Sequence, residues 1–345
     1  MSQDVKTCVD PNPKDWPVLV TGAAGFVGGH VARHLARLGH HVRGLARKVP
    51  TAYPDDPHIE WVIGDLRDPA IRGEALADVR GVIHSAAWVS LGPDPRKLSR
   101  SINVEATCAL LDDAQRLGVE RFVMTSTLHT LAAGTAAEPA DEATPWNLSC
   151  VDSPYCRSKR EAEARVREAS SRSFGTIVLC PGLVVGPRDP KPTSTKLLKT
   201  LSRTQVALLP RGGIPIVDAT VIACAHRRAL TSGEPGERYA VVGSYLSYIE
   251  MARLVARVSG NPRLIVPVPA ILASPLRISA ALVNSLGLST EFSPTTVSGG
   301  FLALHVSGRR ADGCFGLEHP SPLESIRSAL CQEQSTCSVP LQVNR

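Results

Sequence analysis

Pro17-Val18-Leu19-Val20-Thr21-Gly22-Ala23-Ala24-Gly25-Phe26-Val27-Gly28-Gly29-His30 is the stretch on which the fold turns. Its apolar run ends at Gly22, and beyond it Val27, Val31, Leu35 and Leu38 recur at helical spacing. The pattern predicts strand, tight turn, helix. Gly22, Gly25 and Gly28 form a G-x-x-G-x-x-G run across the junction. Glycines there let a backbone approach a pyrophosphate closely, and the helix N-terminus offers it free N–H groups and partial positive charge. Ala24, Phe26 and Val27 complete the dinucleotide-binding turn.

Working outward, HVRGLA (41–46), WVIGD (61–65), GVIHSAA (81–87), RFVMTST (121–127) and TIVLCPG (176–182) read as further strands. Helices are predicted over 101–117 and around 155–170. Strands that are apolar throughout and alternate with amphipathic helices call for a parallel sheet covered on both faces. The expected architecture is α/β, a doubly wound Rossmann sheet with a smaller C-terminal substrate lobe. The boundaries read as a tail over 1–15, a nucleotide-binding core over 16–187, a lobe over 188–330 interleaved with the last core elements, and a tail over 331–345.

The composition agrees. A chain of 345 residues, 43% hydrophobic and 20% charged, excludes a disordered, collagenous or disulfide-scaffold protein. A net charge of +6 without runs of like charge favours a small phosphate-bearing ligand over nucleic acid. Nine cysteines, an odd set with no C-x-x-C pair, read as reduced thiols of a cytoplasmic protein, with no metal site. The N-terminus lacks a signal-like apolar core, and no stretch of 18 uncharged apolar residues occurs. From Leu264 to Ser307 only Arg277 and Glu291 carry charge. That region reads either as buried lobe and pocket lining or as a surface that touches membrane or lipid.

An acidic residue after the second strand would bind the adenosine ribose of NAD. None occurs between Gly28 and Pro54, and Arg47-Lys48 falls where the 2′-phosphate of NADP would lie. The sequence favours NADP(H) and leaves NAD(H) open. Asp65 reads as an acceptor for the adenine amino group or as a helix N-cap. Tyr155 and Lys159 stand four residues apart on one helix face, and Thr125-Ser126-Thr127 ends the fifth strand. A Lys and a cationic nicotinamide beside a phenol favour the phenolate. Tyr155 is then the acid/base on a substrate oxygen, with Thr127 hydrogen-bonded to the same oxygen. Trp88 either lines the substrate site or caps the sheet.

Together with GDLRD, INVEAT, YCRSKREAE, CPGLVVGPRD and GERYAVVG, these motifs make the chain resemble the extended short-chain dehydrogenase/reductases, or NAD-dependent epimerase/dehydratases. Within that family it is most similar to the dihydroflavonol reductase and 3β-hydroxysteroid dehydrogenase branch. The resemblance implies Gly22, Gly25 and Gly28 at the pyrophosphate, Arg47 at the 2′-phosphate, Asp65 and Leu66 at adenine, and Ala86 and Ala87 at the ribose. It puts Pro181 and Gly182 at the nicotinamide carboxamide, Asn103 beside the active site, and Thr127, Tyr155 and Lys159 in the catalytic set, with Lys159 also on the nicotinamide ribose. It also implies a homodimer through a face containing the 101–117 and 155–170 helices. Two departures stand out: Thr127 where relatives have Ser, and Val221 where they carry a second carboxylate after Asp218, which puts the contact between lobe and core in doubt.

The expected activity is NADP(H)-dependent hydride transfer at a ketone or secondary alcohol of a bulky, largely apolar small molecule, steroid-, flavonoid- or polyketide-like. The alternative is an NAD-dependent nucleotide-sugar epimerase or dehydratase, for which Arg188, Lys191, Lys196 and Arg211 offer basic groups. Arg188 is a substrate-binding candidate in either case. A non-catalytic NADP-binding redox sensor is the third reading, and retention of Thr127, Tyr155 and Lys159 together argues against it.

Overall fold

A computed structural model describes residues 17–50, 59–90, 94, 96–190, 195–286 and 292–330. The expected tails over 1–15 and 331–345 lie outside the described residues, as do Lys191 and Glu291. In chain order the first half runs β1 (Val18–Thr21), α1 (Phe26–Arg37), β2 (Val42–Ala46), β3 (Ile59–Ile63), α2 (Pro69–Leu76), β4 (Gly81–His84), α3 (Ala106–Arg116), β5 (Arg121–Thr125), α4 (Pro154–Glu168) and β6 (Gly175–Pro181). The second half runs β7 (Leu183–Val185), α5 (Lys196–Arg203), β8 (Val206–Pro210), β9 (Gly213–Asp218), α6 (Ala219–Ala229), β10 (Glu237–Val241) and β11 (Tyr245–Ser247). It continues with α7 (Tyr248–Ser259), β12 (Leu264–Val268), α8 (Ala273–Ser285), α9 (Pro294–Phe301), α10 (Arg309–Phe315) and α11 (Pro322–Leu330).

The main sheet has the order β3-β2-β1-β4-β5-β6-β10, and every pairing is parallel. Its strands are apolar throughout because both faces are covered. Leu19 and Val82 enter one core, while Val18, Val20 and Ile83 enter the other. Strand order reverses between β1 and β4, which opens a crevice at the carboxyl ends of the strands. After β6 the chain leaves to build β7, β9 and β11 as a small sheet and β8 with β12 as another. It returns twice to the core: α6 packs on α1, and β10 joins the edge beside β6. Val221 is buried in the core that α6 shares with α1, so an apolar contact stands where a second carboxylate was expected.

Two expectations change. The helix over 101–117 begins as a π-helical turn, Ser99–Glu105, and becomes α-helical only at Ala106. Its start is held by the Asp94 carboxylate, which accepts from the backbone N–H groups of Leu98 and Ser99, and the wider turn carries Asn103 inward. The buried-lobe reading of 264–307 fails for α8, where Ala280 alone is fully buried, because the helix leans on α9 with one side only. All six cysteines among the described residues are free thiols.

Gly28 sits so close to the first strand that a Cβ there would lie 2.8 Å from the Gly22 carbonyl carbon and closer still to its oxygen. Both atoms are backbone and cannot swing aside. Gly73, inside α2, has open space around it. Gly28→Ala is therefore expected to lower the thermal midpoint, at a cost of about 1–3 kcal/mol. Gly73→Ala should raise it by up to about 1 kcal/mol through helix propensity. Melting curves of the two variants check the contrast, and a neutral Gly28→Ala would show that the turn is not constrained as described.

Candidate active site

The parallel sheet delivers the sequence-predicted residues to one edge. Gly22 follows β1, Arg47 follows β2, Asp65 and Leu66 follow β3, and Ala86 to Trp88 follow β4. Thr127 follows β5, and Pro181 ends β6 with Gly182 after it. Gly22 has φ +69°, and a Cβ on it would meet Ala86 N at 2.8 Å, so the turn and the β4 loop touch through bare backbone. The Gly25 N-cap of α1 makes no side-chain capping bond, and the first turn holds no acidic residue. A bare, electropositive helix end over a glycine cradle fits a pyrophosphate. Ala24 and Gly25 lie at the tip of the turn and Val27 is half-buried, whereas Phe26 is buried edge-on to His30.

Arg47 is exposed, and its charge reaches Asp65. The Asp65 carboxylate is gripped by Arg67 through two side-chain bonds of 3.0 and 2.6 Å and a backbone N–H, which hold its pKa down at about 2. The N-cap reading of Asp65 is corrected: Asp68 caps α2, accepting from Ala70 N at 2.9 Å, because the helix starts at Pro69. The Leu66 side chain packs into the core, and its carbonyl accepts from Arg72. Arg188, with φ +60°, stands near His30, whose ring bonds the Pro187 carbonyl at 2.8 Å, so this segment folds over the start of α1.

The helix α4 starts on Ser153, whose hydroxyl accepts from Cys156 N, with Pro154 in its first turn. That start sets its buried face, which carries Tyr155, Lys159 and Glu163 at intervals of four. The Tyr155 phenol lies beside the Thr127 side chain, which favours its ionised form. The other two hydroxyls of the Thr-Ser-Thr run turn elsewhere: Thr125 bonds His226 and Ser85, and Ser126 donates to Glu163 at 2.8 Å. Lys159 Nζ donates to the Thr125 carbonyl at 2.7 Å, and burial lowers its pKa to about 8 while Glu163 pulls it back up. Burial pushes the Tyr155 phenol above its ordinary value, against the smaller opposing influence of Thr127. Desolvation is the largest cause, and Lys159 is not among the groups that shift the phenol. Tyr155 thus holds its proton at neutral pH.

Asn103 occupies a joint behind these groups. Its Oδ1 accepts from Trp88 N at 2.7 Å, and its amide donates to the Trp88 carbonyl and to Ser158 Oγ. It ties the loop after β4 to α4 and leaves the half-exposed Trp88 ring at the rim. Sequence reasoning missed two neighbours. Glu163, 3% exposed, accepts from Arg238 at 3.1 Å as well as from Ser126, yet in the run REAEAR it reads as one of several solvated charges. Its spacing of four from Lys159 was the available signal. His129 lies with Nδ1 3.3 Å from Thr127 Oγ1, and burial lowers its pKa to about 4, so it is neutral there.

The buried Lys159 has a stability signature. Below about pH 8 both folded and unfolded chains carry its charge, and the folded state bears the full desolvation cost. Between about 8 and the ordinary 10.5 the folded chain releases the proton while the unfolded chain keeps it, so rising pH stabilises the fold. Lys159→Met is expected to melt higher than the parent at pH 7, by about 2 kcal/mol after the lost hydrogen bond is subtracted. The advantage should shrink as the pH climbs through that window. Paired melts across it check this, and a gap independent of pH would refute it.

Residues 18–220 match the NAD dependent epimerase/dehydratase family. A Synechocystis sp. protein, provisionally named a dihydroflavonol 4-reductase, is 30% identical over 251 residues, covering 70% of this chain and 72% of its own. Sterol demethylase protein B of Methylococcus capsulatus is 29% identical over 249 residues, 71% of this chain and 75% of its own. The crystal structure of gox2253 superposes with a TM-score of 0.78 at 29% identity, covering 93% of this chain and 98% of that one. With the glycine cradle and the Thr127–Tyr155 contact at the same sheet edge, these similarities lead to one assignment: the chain belongs to the NAD dependent epimerase/dehydratase family, the extended short-chain dehydrogenase/reductases, and is an NAD(P)-dependent oxidoreductase.

Proposed function

We propose that the protein interconverts a ketone and a secondary alcohol on a bulky, largely apolar small molecule, with NADP(H) as the preferred cofactor. The observation that carries this reading is the buried Tyr155 phenol set beside the buried Thr127 side chain at the end of β5. Gly22, Gly25 and Gly28 with the N-terminus of α1 would hold the pyrophosphate, Ala86 and Ala87 the ribose side, and Pro181 and Gly182 the carboxamide edge. When bound, the nicotinamide supplies or accepts the hydride. Thr127 Oγ1 orients the substrate oxygen. In the reducing direction Tyr155 Oη gives its proton to that oxygen as negative charge develops there, and in the oxidising direction it takes the proton back. Lys159 brings a positive charge beside this exchange, which favours phenolate once a substrate oxygen competes for the proton. Asn103 fixes the loop that carries Trp88, and Trp88 meets the substrate at the rim.

Preference for NADP(H) is supported by the exposed Arg47 directly after β2 and by the absence of an acidic residue from Gly28 to Pro54. The apolar substrate class is supported by the reductase and sterol names of the relatives. Titration with NADPH and NADH is expected to show roughly tenfold tighter binding of NADPH, a preference that Arg47→Asp abolishes. Equal or tighter binding of NADH, or NAD that co-purifies, stays bound and is oxidised again at the end of each turnover, would favour the nucleotide-sugar epimerase reading.

Tyr155→Phe removes the transferable proton and keeps the ring. With NADPH and a panel of steroid and flavonoid ketones, it is expected to lose about 10²-fold or more in kcat while cofactor affinity is kept. Unchanged turnover in Tyr155→Phe would remove Tyr155 from the reaction, and failure of the parent protein to turn over any carbonyl would favour the sensor reading.

A further inference from the structure

Away from the cleft, apolar side chains gather on one outer face of the lobe. The strands β8 and β12 run parallel with Val206 beside Leu264 and Leu208 beside Val266. Alternation puts Ala207 and Leu209 inward, where they are buried, and leaves those four outward, Leu208 at 67% exposure. A strand pair with one wet face normally carries polar residues there, and this one is apolar on both faces. From β12 the chain leads through Ile271, 84% exposed, into α8. There Ile278, Leu282 and Leu286 recur at intervals of four and stay exposed, Ile278 at 72%. The opposite side of α8 rests on α9.

The charge around this face is one-sided. Residues 196–211 and 249–286, which carry β8, β12, α8 and the flanking α5 and α7, hold eight Lys or Arg and one acidic residue, Glu250. That is +7, against +6 for the whole chain, so the rest of the protein is close to neutral. The Glu250 carboxylate is bound in the capping box of α7 by Ser247. Among the described residues no helix is long and apolar enough to cross a membrane, and Arg277 sits within α8. An apolar face bordered by basic residues, with no spanning segment, matches a surface that lies in the headgroup layer of an anionic bilayer. A second copy of the chain is a poorer occupant, because a two-fold contact would set this positive face against itself.

We propose that β8, β12 and α8 form a docking face for anionic phospholipid membranes, with the outward leucines, isoleucines and valines entering the interface and the basic residues of α5, α7 and α8 meeting lipid phosphates. The face lies away from the cleft, so docking there is independent of the reaction proposed above. It is tested with the full chain by flotation on vesicles of phosphatidylcholine alone and of phosphatidylcholine with phosphatidylserine, without cofactor or substrate. Flotation with the anionic vesicles, weakened at about 0.5 M salt, is the expected result. A double variant Ile278→Ser/Leu282→Ser and a charge variant Arg257→Glu/Arg277→Glu should each reduce binding roughly tenfold while melting temperature and cofactor affinity stay as in the parent. No flotation with either vesicle, or flotation that neither variant weakens, would overturn the proposal. So would light scattering that shows a parent dimer split by Ile278→Ser/Leu282→Ser, which would assign the face to self-association.

Discussion

The approach of α1 to β1 through bare backbone is the constraint on which the rest of the molecule depends. Gly28 has no room for a side chain above the Gly22 carbonyl, and Gly22 has none beside Ala86. With those three segments in contact, the start of α1 faces the crevice where strand order reverses. The loops after β1, β2, β4, β5 and β6 then open onto the same edge. Bulk at either glycine would separate the helix from the strand and enlarge the cradle that suits a phosphate.

The site concentrates unfavourable burial. Lys159 and Glu163 are almost wholly removed from water, and Tyr155 is close to it. The protein tolerates these charges by supplying partners: Thr125 O for Lys159, Ser126 and Arg238 for Glu163. The buried Glu163–Arg238 pair adds little net stability, yet losing one of its partners is costly, so it holds α4 in a fixed rotation against the sheet edge. That rotation is what sets Tyr155 against Thr127. Local free energy is given up where chemistry needs desolvated groups, and the two apolar cores on either side of the sheet make up the difference.

The lobe follows another logic. Its inner residues, among them Leu209, Leu246 and Met251, extend one of the two cores, so it is anchored from below. Its outer face stays exposed, from Val266 at 38% to Ile271 at 84%. The asymmetry between a near-neutral remainder of the chain and a basic, apolar-faced lobe surface is a property of the assembled structure, since the contributing residues come from five separate elements.

The turn at 21–28, the parallel sheet and the four-residue spacing of Tyr155 and Lys159 were legible in the sequence. Each is encoded within about ten residues by glycine sterics or by the period of apolar side chains. The same local rules fell short elsewhere. Asp65 and Asp68 look alike as caps, and only the position of the first helical turn chose between them. The π-helical turn that carries Asn103 inward follows from contacts with Trp88 and Ser158, the latter 55 residues away. Glu163 was unreadable as a buried group because its partner Arg238 lies 75 residues downstream and arrives on the returning edge strand. The charge-poor stretch after Leu264 announced apolarity, but whether it faced a core or water depended on how many neighbours α8 acquired. The sequence by itself thus determined the sheet, the glycine turn and the placing of Tyr155 and Lys159 on one helix face, because local sterics and periodicity act within a segment. Only the tertiary structure decided which charges are buried and which apolar faces are left open, because burial depends on what the distant chain brings across.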